Sequence, residues 1–236
     1  MNPQRSPVPW RWVVLYYAVA LGVALPFNLG WLAPWFDTHL PGTMLARYPF
    51  LPAALGPAIG ALLARRFGPR PIQTTTLLGT SAWRTLVTAL IPLGFFSLVD
   101  PRAGLYALVA LIYAAGEEFG WRGYLADALA PLRWPWSLAV ISLLWWFWHL
   151  RFTTTFDLLV FPPIILVSSL VLGHAARTSG SVLVAAAMHA LIIVLTASGA
   201  PSRPMLFAGA ATLAAWVLQG TLWPAPRPTR PDDGNR

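Results

Sequence analysis

AAGEEFGWRGYL, residues 114–125, holds both glutamates of the chain, Glu117 and Glu118, and follows them with Arg122. The run in front of it, residues 103–115, has no charged side chain. In a helix, neighbouring residues are about 100° apart, so the two carboxylates face different sides. Glu118 and Arg122 are four apart, share a face and can pair. Glu117 has no such local partner. An ionised side chain at mid-membrane costs about 2.5–3.5 kcal/mol, and each Leu, Ile, Val or Phe returns about 0.3–0.6 kcal/mol. Leu105, Leu108, Val109, Leu111, Ile112 and Phe119 therefore do not offset two carboxylates and a guanidinium. The segment reads as one helix of a bundle, its polar face turned to protein or to a water-filled cavity.

The rest of the chain supports that setting. Of 236 residues, 57% are hydrophobic and only 10% are charged, with a mean hydropathy of +0.61. Soluble domains carry about 25% charged residues. The fold class expected is all-α, a polytopic transmembrane helix bundle. Apolar runs at 12–33, 48–64, 83–99, 103–121, 136–151, 156–176, 181–198 and 204–223 give about eight spans. The 16 basic residues are all arginine, and they sit mainly between the runs. That placement marks topology rather than nucleic-acid binding, so the lipid bilayer and not nucleic acid is the expected partner. With the N-terminus in the cytoplasm, eleven arginines fall on that side. Arg47, Arg102, Arg151 and Arg203 fall on the other, with Arg122 near the membrane uncounted. Both termini are then cytoplasmic, in the cell's inner (plasma) membrane.

The expected organisation is a cytoplasmic segment 1–11, a single transmembrane domain 12–223 and a proline-rich cytoplasmic tail 224–236, read as disordered. VALPFNLGW is a poor cleavage site, so the first run reads as a retained anchor. The absence of cysteine excludes disulfides, thiolate ligands and cysteine nucleophiles.

Two of the four histidines lie in apolar runs, His149 in SLLWWFWHL and His189 in SVLVAAAMHALIIV. His39 follows a polar loop and reads as solvated; His174 lies near the cytoplasmic end of the sixth run. An intramembrane carboxylate with two imidazoles supports two chemistries. Glu117 can act as general base on a water that the histidines orient, or whose oxyanion product they stabilise. Alternatively, Glu117, His149 and His189 can hold a divalent metal such as zinc, which acidifies the water. The spacing selects neither, and there is no HExxH.

The sequence EEFGWRGYL resembles the EExxxR motif of the CAAX-processing and bacteriocin-processing intramembrane proteases, the CPBP or Abi family, with likeness to the type 2 CAAX prenyl proteases. Glu117, Glu118 and Arg122 match it, and Gly123 continues it. WWFWH matches the family's FxxxH, with Trp145 at the phenylalanine place and His149 at the histidine. The third motif, histidine with asparagine four residues on, is met by His189, but Ile193 stands at the asparagine place and has no hydrogen bond to donate. The resemblance covers about 103–195. It implies eight helices enclosing an intramembrane cavity, and hydrolysis of a peptide bond in a membrane-embedded or lipid-modified peptide. By matching position it implies Glu117 activating the water, His149 positioning that water or a metal, and His189 stabilising the oxyanion. Glu118, Arg122 and Trp145 would support the site. A metal-dependent and a metal-free route both fit the resemblance. The alternative reading is a non-catalytic immunity or scaffold protein of the same fold.

Overall fold

The computed structural model describes residues 7–69, 73–196 and 201–222. The proposed tail lies outside these residues. The elements in chain order are α1 (Trp10–Asn28), α2 (Ala33–His39), α3 (Met44–Arg47), a 3-10 turn (Leu51–Ala54), α4 (Leu55–Phe67), α5 (Ala82–Val99) and α6 (Pro101–Glu118). A π-helical segment (Phe119–Leu125), α7 (Ala126–Ala128), α8 (Trp134–Trp148), a second π-helical segment (Phe156–Val160), α9 (Phe161–Ser179), α10 (Val182–Thr196) and α11 (Arg203–Leu222) complete the chain. Among the described residues there is no strand, only an isolated bridge between Thr76 and Ser181. The fold is all-α.

Each apolar run seen in the sequence is occupied by a helix, α1, α4, α5, α6, α8, α9, α10 or α11. Among the described residues, three stretches are long and apolar enough to cross a membrane by themselves: Trp10–Asn28, Ala82–Val99 and Phe156–Ser179. Val182–Thr196 is apolar but shorter. Large apolar side chains such as Ile112, Val167, Phe207 and Val217 are exposed around the bundle. That surface suits lipid and is unfavourable in water.

Two cores form. One joins α1, α4, the first π segment, α8 and α9 around Tyr16, Trp121, Tyr124, Trp145 and Trp148. The other joins α5, α6, α10 and α11 through alanines, Phe96, Leu111, Leu191 and Val194. Lipid tails are as apolar as leucine, so helices here associate by close packing of small residues. Gly56 and Gly60 of α4 show this against α1: a Cβ would lie 2.3 Å from the Ala20 carbonyl oxygen at Gly56, and 2.6 Å from that of Tyr16 at Gly60. Gly60→Val is expected to force α1 and α4 apart and cost about 1–3 kcal/mol, the usual penalty of overpacking. Thermal unfolding in detergent checks this, and an unchanged melting temperature would count against the close crossing.

The end of the bundle that carries Arg65, Arg133 and Arg177 is tied by polar contacts. Arg65 Nη2 donates to the Gly123 carbonyl at 2.8 Å, and Thr75 Oγ1 donates to the Arg122 carbonyl at 3.2 Å. The Thr74 backbone N–H donates to Asp127 Oδ1 at 3.1 Å. Burial raises the Asp127 carboxyl above its ordinary range, against the lowering effect of Thr74 and Arg65. The Val182 N–H bonds the Thr76 carbonyl at 2.9 Å, so the same loop also fixes the start of α10.

Two local features depart from the sequence reading. The fourth run, read as one helix over 103–121, changes from α to π after Glu118. Gly120 sits where a Cβ would meet Pro57 Cβ at 2.5 Å and the Tyr16 hydroxyl at 2.7 Å, so contact with α1 and α4 shapes this turn. The fifth run, read to 151, stops being helical at Trp148. Leu150 adopts a left-handed backbone, with φ of 54°, and its N–H caps back to the Phe147 carbonyl at 3.1 Å. A non-glycine residue there costs on the order of 1–2 kcal/mol, and His149 is left just beyond the helix.

Candidate active site

The glutamates separate as their spacing requires. Glu117, on the last turn of α6, faces a cavity of about 400 Å³. Glu118 turns the other way, into the protein. Both are almost fully buried, at 1% and 0% exposure. Trp145, His149, His189 and Ile193 line the same cavity as Glu117. Segments far apart in the chain thus converge: α6 supplies the carboxylate, α8 and its end supply Trp145 and His149, and α10 supplies His189.

Behind the cavity wall, Glu118 Oε1 accepts from Arg122 Nη1 at 3.0 Å and lies 2.9 Å from His189 Nδ1. Arg122 Nη2 also reaches Ser169 Oγ of α9, at 3.4 Å. The guanidinium carbon lies 4.3 Å from the Trp145 ring centroid, a cation–π contact. Trp145 in turn donates its indole N–H to Glu117 Oε2 at 2.7 Å. One connected chain therefore runs from His189 through Glu118, Arg122 and Trp145 to Glu117. His189 meets Trp145 edge-on, with ring centroids 5.3 Å apart.

The hydrogen bonds assign the imidazole atoms. His149 Nδ1 lies 2.7 Å from the Trp145 carbonyl, which can only accept, so Nδ1 carries the proton. His189 Nδ1 faces a carboxylate oxygen in the same way. Each ring is left with Nε2 for other work. Histidines tied through Nδ1 to an oxygen are the kind that ligate metals. Among the described residues, however, no three His, Asp or Glu side chains converge closely enough to hold an ion. The donor types fit a metal, but their spacing here does not.

The sequence reading missed three participants. Tyr113 lines the cavity four residues before Glu117, and its hydroxyl lies beside that carboxyl group. The i−4 spacing was the available signal. Ser169 and the cavity-lining Arg151 had none, because their placement depends on how α9 and the end of α8 pack. His39 is exposed, stacked on Trp35 with centroids 4.7 Å apart. His174 lines a different cavity. Trp145 in place of phenylalanine reads from sequence as a mild aromatic exchange; in the fold it adds a donor on Glu117, which no phenylalanine offers.

Residues 100–195 match the family model described as Type II CAAX prenyl endopeptidase Rce1-like. The chain contains an Rce1-like domain. The match takes in Glu117, Glu118, Arg122, Trp145, His149 and His189, and covers less than half of the chain. No curated protein and no solved structure gives a significant match. The Rce1-like family is a family of proteases, and most of the residues that line the cavity fall within the matched stretch.

Within the Rce1-like domain, Trp145→Phe isolates the indole N–H. A hydrogen bond to a charged group is worth about 1.5–3 kcal/mol. The variant should keep the aromatic contact to Arg122 and lose about tenfold to a hundredfold in kcat with little change in KM. A kcat equal to wild type would show that this bond does not serve catalysis.

Proposed function

We propose that the chain is an intramembrane endopeptidase in which Glu117 activates the attacking water. The carrying observation is that Glu117, His149 and His189 line one cavity, with the second carboxylate removed from it and neutralised by Arg122. In the proposed reaction, Glu117 takes a proton from a water held by His149 Nε2, and the oxygen attacks the scissile carbonyl carbon. The resulting oxyanion accepts a hydrogen bond from His189 Nε2–H in the doubly protonated form of that ring, whose Nδ1–H is held by Glu118. Glu117 then passes its proton to the leaving amine as the C–N bond breaks. Glu118 and Arg122 act as positioning residues, Glu118 through Nδ1 of His189 and Arg122 through the Trp145 ring. The family supports a lipid-modified peptide as substrate class and a membrane setting. The cavity walls are mixed: Ile164, Ile165 and Ile192 are apolar, whereas Asn28, Ser168 and Thr196 are polar, which suits an extended peptide.

The arginine distribution supports a single domain of eight spans in the plasma membrane, with both termini cytoplasmic. Comparing new protein N-termini in membranes that contain wild type or Glu117→Gln tests the protease reading. Termini that require Glu117 support it; an identical set from both proteins overturns it.

A metal-free route is our reading of the chemistry. Activity is expected to survive exhaustive chelation. Loss of activity that is restored by zinc would instead assign Glu117, His149 and His189 as ligands. One observation favours a second reading, a non-catalytic immunity or scaffold protein. Ile193 lines the cavity where the family has asparagine, so the oxyanion site lacks that donor. That reading predicts a biological effect unchanged by Glu117→Gln.

A further inference from the structure

An oxyanion has room for more than one donor, and each donor lost costs about 10²–10³-fold in rate. His189 supplies one. One turn further along α10 and on the same face, Ile193 lines the cavity and supplies none. Other polar side chains of the cavity are engaged elsewhere. Asn28 Nδ2 donates to the Trp148 carbonyl at 2.8 Å, and Thr196 Oγ1 donates to the Ile192 carbonyl at 2.7 Å. Arg151 Nε lies 3.2 Å from Asp157 Oδ1, and Trp145 gives its indole N–H to Glu117 Oε2. Ser168 lies on α9, whereas the side chains that hydrogen-bond toward the Glu117 carboxyl group are Trp145 and Tyr113. Among the described residues that line the cavity, Tyr113 is the one tyrosine, and it stands one turn before Glu117 on α6. Phe50 meets its ring edge-on, with centroids 5.7 Å apart. The ring is braced, while the hydroxyl hydrogen can still turn about its C–O bond.

We infer that Tyr113 is a further catalytic residue, whose hydroxyl is the second donor to the oxyanion and takes the place left empty by Ile193. Before the reaction the hydroxyl donates toward the Glu117 carboxylate, the nearest charged acceptor. When Glu117 takes the proton of the water, its charge is neutralised and a negative charge appears on the former carbonyl oxygen. The attacking oxygen and the oxyanion are bonded to one carbon, so that charge forms next to Glu117. The Tyr113 hydroxyl follows it by a rotation about its own C–O bond. No bond to Tyr113 forms or breaks, and its proton stays with it. The interaction with substrate is made only once the oxyanion exists, and so it lowers the barrier without tightening substrate binding. This assignment rests on the protease reading with Glu117 as base.

The test is a cycle of four full-length proteins: wild type, Tyr113→Phe, Ile193→Asn and the double variant. Initial rates are measured on a peptide identified from Glu117-dependent termini. Phenylalanine keeps the ring and its contact with Phe50, and asparagine at position 193 brings a donor to the cavity from α10. Tyr113→Phe is expected to lower kcat by about 10²–10³-fold with KM nearly unchanged. Ile193→Asn is expected to change wild type little, yet to restore about tenfold or more to Tyr113→Phe, because the two donors serve one oxygen and their effects do not add. A Tyr113→Phe variant as fast as wild type overturns the inference. So does a slow variant that Ile193→Asn raises by no more than it raises wild type, since Tyr113 would then act only by holding Glu117 in place, which a donor on α10 does not repair. If cleavage depends on Glu117 but not on Tyr113, this inference falls alone and the protease reading stands. If no cleavage depends on Glu117, both fall.

Discussion

Glu117→Gln is expected to lower the rate of cleavage by about 10²–10⁴-fold, the range supplied by a positioned general base. Glutamine has nearly the same volume, and its amide oxygen can accept the indole N–H that Glu117 Oε2 accepts at 2.7 Å. The neighbouring Glu118–Arg122 pair does not involve the exchanged side chain. The variant should therefore insert and melt as wild type does while losing the group that takes a proton from water. Initial rates on a peptide identified from Glu117-dependent termini, at equal protein levels, provide the measurement. A rate within a few fold of wild type would leave Glu117 without a catalytic role.

Arg122→Leu is expected to have the largest effect on stability, a loss of about 3–5 kcal/mol, the usual cost of stranding one member of a buried ion pair. Arg122 is 2% exposed and Glu118 is 0% exposed, so water does not compensate the abandoned carboxylate. The substitution also removes the contact to Ser169 and the cation beneath Trp145. The double variant Glu118→Gln with Arg122→Leu removes the stranded charge and should recover much of the loss. Thermal unfolding of both variants in detergent decides this. A single variant as stable as wild type would mean that the pair contributes nothing to the fold.

These expectations differ in how far the sequence foresaw them. The Glu118–Arg122 pair was legible because four residues make one helical turn, and the two side chains remain on one face as the π segment begins. The helical runs were legible because a bilayer demands long apolar segments whose backbone groups are satisfied internally. Their ends were less so. The stop of α8 at Trp148 depends on a left-handed leucine, a residue type that carries no turn signal. The α-to-π change after Glu118 depends on the approach of α1 and α4 to Gly120, which is a contact between helices distant in the chain.

The sequence by itself determined the membrane setting, the helical class, the local ion pair and the set of polar groups that a greasy chain retains, because these follow from composition and from periodicity along one helix. Only the tertiary structure decided that Glu117 and not Glu118 faces the cavity with the histidines, that His189 is held by Glu118, and that Trp145 bonds Glu117. Those outcomes depend on the rotation and packing of α6, α8 and α10 against each other. No spacing within a single helix encodes them.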